Sequence, residues 1–156
     1  RICLVGSEMC IRDRMSAGTG IFHSEYNFED EETSLYQIWI KPAHIGVAPR
    51  WETAEFPKTP VLNKLQLVVS GDGTAPLQMQ QNARIFVGHL NKDTKIEHPI
   101  QGKAYLLISE GDVIVKDLTA HKGDGVTISD EVSVNITAMS DAEVLVIEVP
   151  GLQDAR

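Results

Sequence analysis

From residue 15 onward, short apolar runs alternate with clusters of Gly, Pro, Asp and Asn, and no stretch sustains a helical period. This pattern predicts strands at Ile21–Tyr26 and Leu35–Ile40. Further strands are predicted at Leu65–Val69, Leu77–Met79, Arg84–Leu90, Thr94–His98, Ala104–Ser109, Val113–Val115, Gly125–Ile128, Val132–Thr137 and Glu143–Val149. Turn chemistry separates them, notably Ser70-Gly71-Asp72-Gly73, Asn91-Lys92-Asp93 and Glu110-Gly111-Asp112. The run Val132-Ser133-Val134-Asn135-Ile136 alternates with period two, so one of its faces is apolar. Strands this short and this closely spaced belong to an all-β sandwich or barrel.

Residues 41–63 interrupt the pattern with Pro42, Pro49, Pro57 and Pro60. Proline removes a ladder donor and fixes φ, so this stretch is predicted to be an extended connector marking a domain boundary. Trp39 and Trp51 flank it and read as apolar anchors for it. The acidic run Glu29-Asp30-Glu31-Glu32 reads as a solvated loop rather than a cation site.

The opening segment, Arg1 to Arg14, shows neither helical nor strand periodicity. Its apolar stretch is too short and interrupted for a signal peptide. Leu4 to Asp13, LVGSEMCIRD, resembles an in-frame translation of a transposase adapter used in sequencing libraries. The segment is therefore expected to be non-native and to stand outside the fold, with the natural sequence beginning near Met15.

Composition narrows the classes of function. An apolar fraction of 42% and a charged fraction of 23% suit a chain that folds around a core. The formal charge of −8 opposes binding to a phosphate backbone, so no nucleic-acid partner is expected, while a protein partner stays open. No apolar run approaches membrane-spanning length, so no membrane partner is expected. Both cysteines, Cys3 and Cys10, fall in the opening segment, which leaves no disulfide framework and points to the cytoplasm.

The chemically informative stretch is Met15–Asn27, MSAGTGIFHSEYN. On a regular strand, His23 and Glu25 share a face, with Phe22 and Tyr26 on the other. An imidazole and a carboxylate so placed are either a structural pair or two donors to a first-row metal ion, which needs at least one or two more. The glycines before them lack the G-x-x-x-x-G-K-[ST] order of a phosphate loop and read as a tight turn.

This stretch resembles the second metal-bearing motif of the pirin family, and the His-x-x-x-Asn spacing from His23 to Asn27 is that of the second cupin motif. The similarity continues through Leu35–Pro42 (LYQIWIKP), Gln81–Leu90 (QNARIFVGHL), Gly111–Gly125 and Ala142–Pro150 (AEVLVIEVP), and so covers nearly everything after Met15. It implies a bicupin built from two double-stranded β-helix, or jelly-roll, barrels. Residues 15–42 would be the last strands of an N-terminal, metal-binding cupin, 43–63 the connector, 64–150 a complete C-terminal cupin barrel and 151–156 a tail.

The resemblance further implies one Fe(II)-type ion, or another divalent first-row metal, held by three histidines and a glutamate. His23 and Glu25 match the later two ligands, and Glu25 would also be the catalytic base. The other two histidines would precede Met15, so this chain is expected to bind metal weakly or not at all and to be inactive. His44, His89, His98 and His121 match no motif of the family and are expected on the surface or in turns. The C-terminal barrel keeps no metal motif, with Gln80 where many pirins resemble one another in carrying histidine, and is expected to be structural. By resemblance the full-length function is a quercetin 2,3-dioxygenase acting on a flavonoid-like substrate. The alternative is a non-catalytic regulator that binds a protein partner.

Overall fold

The computed structural model describes residues 2–5, 11–28, 30, 32, 34–56 and 59–151. Among them there is no helix, and strands account for most of the regular structure. The all-β expectation holds.

The C-terminal part is a barrel of two facing sheets. The smaller is built from β8 (Lys95–Pro99), β10 (Asp112–Val115), β11 (Leu118–His121) and β13 (Ser133–Ala138), in the order β11-β10-β13-β8. The larger contains β5 (Leu65–Ser70), β6 (Leu77–Gln78), β7 (Arg84–Leu90), β9 (Lys103–Glu110), β12 (Gly125–Ile128) and β14 (Ala142–Val149), in the order β12-β9-β14-β7-β5-β6. All pairings are antiparallel except β5 with β6.

The core between these sheets follows from alternation. Val113, Val115, Val134 and Ile136 point in from the smaller sheet to meet Phe86, Leu106, Ile108, Val144 and Val146 from the larger. The larger sheet is buried on its other face too, where Val68, Val69, Ile85, Val87 and Leu145 form a second core with Phe56. That double burial is why β7 and β14 read as nearly continuous apolar runs.

The second core is completed by a four-stranded antiparallel sheet of β1 (Ile2–Val5), β2 (Ile11–Ser16), β3 (Leu35–Ile38) and β4 (Arg50–Glu55), ordered β3-β1-β2-β4. Ile38, Ile40 and Ala54 pack from its inner side against the second core.

Every strand predicted beyond residue 64 is present, within two residues at its ends. Four departures from expectation occur before residue 64, and beyond it one strand that the pattern does not predict, β11, arises by a turn. Ile21–Tyr26 is not a strand: residues 20–28 are irregular and, Ile21 apart, exposed. Extended chain persists only where a neighbour completes its ladder, and none of the described strands pairs with this stretch. Arg50–Glu55 is a strand, although it lies in the proline-rich region. Its run RWETAEF holds no proline and alternates, so the prolines bound the strand without breaking it.

Residues 2–5 and 11–14, expected to stay outside the fold, form β1 and, with Met15 and Ser16, β2. Backbone pairing depends little on side-chain identity, and β3 and β4 each offer an edge to them. Trp39 and Trp51 are 78% and 62% exposed, so neither anchors the connector. Finally, β11 arises because a two-residue turn at Lys116-Asp117, with Lys116 at φ 56°, folds Leu118–His121 back onto β10.

Candidate functional site

A cleft of about 580 Å³ opens where the four-stranded sheet meets the barrel. One wall is the end of β2 and the turn after it, Arg14 to Gly18, continuing to Ile21 and His23. Trp39 to Pro42 and Val47 form a second side, and Met79, Gln80 and Gln81 of the barrel form a third.

Local backbone chemistry makes this shape. The chain reverses at Gly18 (φ 53°) and Gly20 (φ 129°), with the Gly20 N–H donating to the Ala17 carbonyl at 2.7 Å. At Gly18 the carbonyl of Val47 comes so close that a Cβ would lie 2.1 Å from it. Only glycine lets these two rims touch. On the barrel side, Ala43 N–H donates to the Gln80 carbonyl at 2.8 Å and Gln81 Nε2 donates to the Lys41 carbonyl at 3.0 Å.

The lining is mainly apolar, with a few polar groups placed among Ile21, Trp39, Ile40, Val47 and Met79. Arg14 is 1% exposed; its guanidinium donates to Ser16 Oγ and Glu52 Oε2, each at 2.6 Å. Its Nε is buried and has no partner among the described residues. A concave, chiefly apolar space with a few convergent polar groups is the common form of a small-molecule site.

Of the two predicted metal donors, His23 reaches the cleft and Glu25 is exposed on the same irregular segment. Because residues 21–26 form no strand, the period-two argument for a shared face does not apply to them. A first-row divalent ion needs three or more protein donors, and among the described residues no three His, Cys, Asp or Glu side chains come together. This donor set does not fit a complete metal centre.

A second polar arrangement lies inside the barrel. Glu148 is 1% exposed and accepts Arg84 Nε at 2.9 Å and Arg84 Nη2 at 2.6 Å on one oxygen. Its other oxygen is 2.9 Å from His98 Nε2. His98, expected on the surface, is thus 8% exposed, edge-on to Phe86 at 4.7 Å. The alternation Ile96-His98-Ile100 carried the signal, because it places His98 on the apolar face of β8. A smaller polar hollow of about 280 Å³ borders Arg84 and Glu148.

The remaining histidines lie nearer the surface. His44 is exposed, and His89 Nδ1 is 3.2 Å from Glu143. His121 Nδ1 is 2.7 Å from Asp112, whose hydrogen bond and negative charge raise the pKa of the exposed imidazole above 6.5.

Two sheets closed over one apolar core, with a further sheet framing a ligand-sized cleft, define an all-β protein of the cupin class. Residues 67–149 match the quercetinase C-terminal cupin domain. The quercetin 2,3-dioxygenase of Escherichia coli K12 is 38% identical over 140 residues, which cover 87% of this chain and 59% of that protein. A pirin-like protein of Caulobacter vibrioides is 37% identical over 139 residues, 86% of this chain and 60% of its own length. The crystal structure of YhhW from Escherichia coli superposes with a TM-score of 0.87 at 32% identity, covering 97% of this chain and 71% of that one. The same bacterial pirin is known in complex with nickel(II). The chain belongs to the pirin family. It spans about three fifths of the length of the curated relatives it matches.

Proposed function

We propose that this chain is part of a metal-dependent dioxygenase that opens the ring of flavonols such as quercetin with O₂. The observation that carries the reading is the cleft. It is apolar enough to take a flat aromatic ligand, it is framed by His23, and it lies in a chain whose relatives include quercetin 2,3-dioxygenases. Its volume falls in the range of ordinary small-molecule sites, about 300–1,000 Å³.

In this reading residues 15–42 end the metal-bearing cupin and 64–150 form the second barrel, in a cytoplasmic protein. His23 and Glu25 would supply two of the donors to a divalent ion, Fe(II) or the nickel(II) held by the related pirin. Such an ion would supply Lewis-acid and redox chemistry toward O₂, and its set needs donors beyond those described here. The Glu25 carboxylate accepts the proton of the substrate hydroxyl, while the apolar walls keep bulk water from the ring.

Oxygen uptake with quercetin, measured on full-length protein loaded with iron(II) or nickel(II), tests the proposal. Turnover that falls by about 10²–10⁴ in Glu25→Gln supports it. No turnover in metal-loaded protein overturns it and favours a regulator that acts through a protein partner.

A further inference from the structure

We infer that Gln80 is a ligand-binding residue, through which the C-terminal barrel selects the ring-hydroxyl pattern of the molecule in the cleft. The inference rests on the reading of that cleft as a flavonol site.

The two adjacent glutamines have different work. Gln81 is occupied on both ends of its side chain, donating from Nε2 to the Lys41 carbonyl at 3.0 Å and accepting from Asn82 N–H at 2.8 Å on Oε1. Gln80 is held by its backbone alone, its carbonyl accepting from Ala43 N–H at 2.8 Å. Its side-chain amide makes no hydrogen bond among the described residues, yet the residue lines the cleft. Met79 beside it is 8% exposed and fixed by its N–H to the Ser70 carbonyl at 2.9 Å. The Gln81 carbonyl packs so closely on Gly71 that a Cβ there would sit 1.9 Å away. The backbone carrying Gln80 is therefore tied to both the barrel and the 41–43 segment, while its carboxamide is uncommitted.

A carboxamide offers two N–H donors and one carbonyl acceptor without a charge. Against an aromatic ligand it can both give a hydrogen bond to a phenolic oxygen and take one from a phenolic O–H. A ligand lacking that hydroxyl gains nothing from it. Gln80 should thus discriminate between flavonols by their ring hydroxyls and contribute little to holding the bare ring system, which the apolar lining does.

The test is a pair of titrations on the whole chain carrying Trp51→Phe, so that quenching of Trp39, which lines the cleft, reports occupancy. The probes are quercetin and 3-hydroxyflavone, which lacks quercetin's other ring hydroxyls. In Gln80→Ala the dissociation constant for quercetin is expected to rise about fivefold, the size of one neutral hydrogen bond, with that for 3-hydroxyflavone unchanged. Equal affinities of parent and variant for both ligands would overturn the inference and leave the flavonol reading standing. Equal weakening for both would overturn it as well, by showing a role in shape alone. Absence of saturable quenching by either ligand in the parent would overturn the inference together with the flavonol reading.

Discussion

Glu148 accepts hydrogen bonds from both Arg84 and His98 at a point that water barely reaches. These contacts join three strands of two sheets: β8 on one side, β7 and β14 on the other. Truncation to alanine leaves His98 and the half-sheltered Arg84 without their shared acceptor. Glu148→Ala is expected to lower stability by about 3 kcal/mol, read as a lower urea midpoint with an unchanged slope. A loss below about 1 kcal/mol would show that the network is ornamental. Residue chemistry of this kind was only partly legible. His98 alternates with Ile96 and Ile100, which places it inside, whereas Glu148 sits in a nearly unbroken apolar run that marks no face, and nothing in one sequence says that the two strands face each other. The cleft was less legible still. His23 was visible from its flanking MSAGTG and HSEYN, whereas Arg14 and Gln80 come together only through the packing of the extra sheet on the barrel.

At the scale of elements, turns were easier to foresee than the isolated segments between them. Ser70-Gly71-Asp72-Gly73 was expected from its composition, and the structure gives it a specific lock. Thr74 donates its hydroxyl at 2.6 Å and its N–H at 3.0 Å to Asp72 Oδ1. These hydrogen bonds lower the Asp72 pKa from 3.8 to about 2. Since the folded value lies below the unfolded one, this lock contributes fully above about pH 4 and is lost as pH falls toward 2. Asp72→Asn is expected to lower stability near neutrality, with the difference from the parent shrinking as pH falls toward 2, which flattens that part of the acid-unfolding curve. An unaltered acid limb would speak against the lock. His121 has the opposite sign: its raised pKa means that pairing with Asp112 is fully present below 6.5 and weakens as pH climbs past the raised value. The strand predicted at Ile21–Tyr26 failed for a reason visible only at this scale. Its alternation was adequate, but a strand also needs a neighbour, and single-sequence patterning does not reveal whether one is at hand.

Across the whole molecule, the larger barrel sheet lies between two apolar cores, and its central runs were readable as fully buried from their unbroken hydrophobicity. The four-stranded sheet is not legible in the sequence, because its first two strands lie in a segment without strand periodicity and β4 lies among prolines. Apolar side chains around that sheet stay open to solvent: Phe22, Phe28 and Ile45 are 90% exposed or more, and Trp39 and Trp51 are largely exposed. Such surface favours self-association. Replacing Phe22 and Ile45 together by serine is expected to suppress the rise of scattered light with concentration, while leaving the unfolding free energy within about 0.5 kcal/mol of the parent. Unchanged association in that double variant would place the sticky surface elsewhere.

The proposed function puts an aromatic ligand in the cleft between the four-stranded sheet and the barrel. Backbone amide shifts on titration with quercetin test it most directly. Saturable changes are expected to concentrate at residues 14–23, 39–42 and 79–81, which frame the cleft. No saturable change, or changes centred on the polar hollow beside Arg84, Gln101 and Glu148, would contradict it.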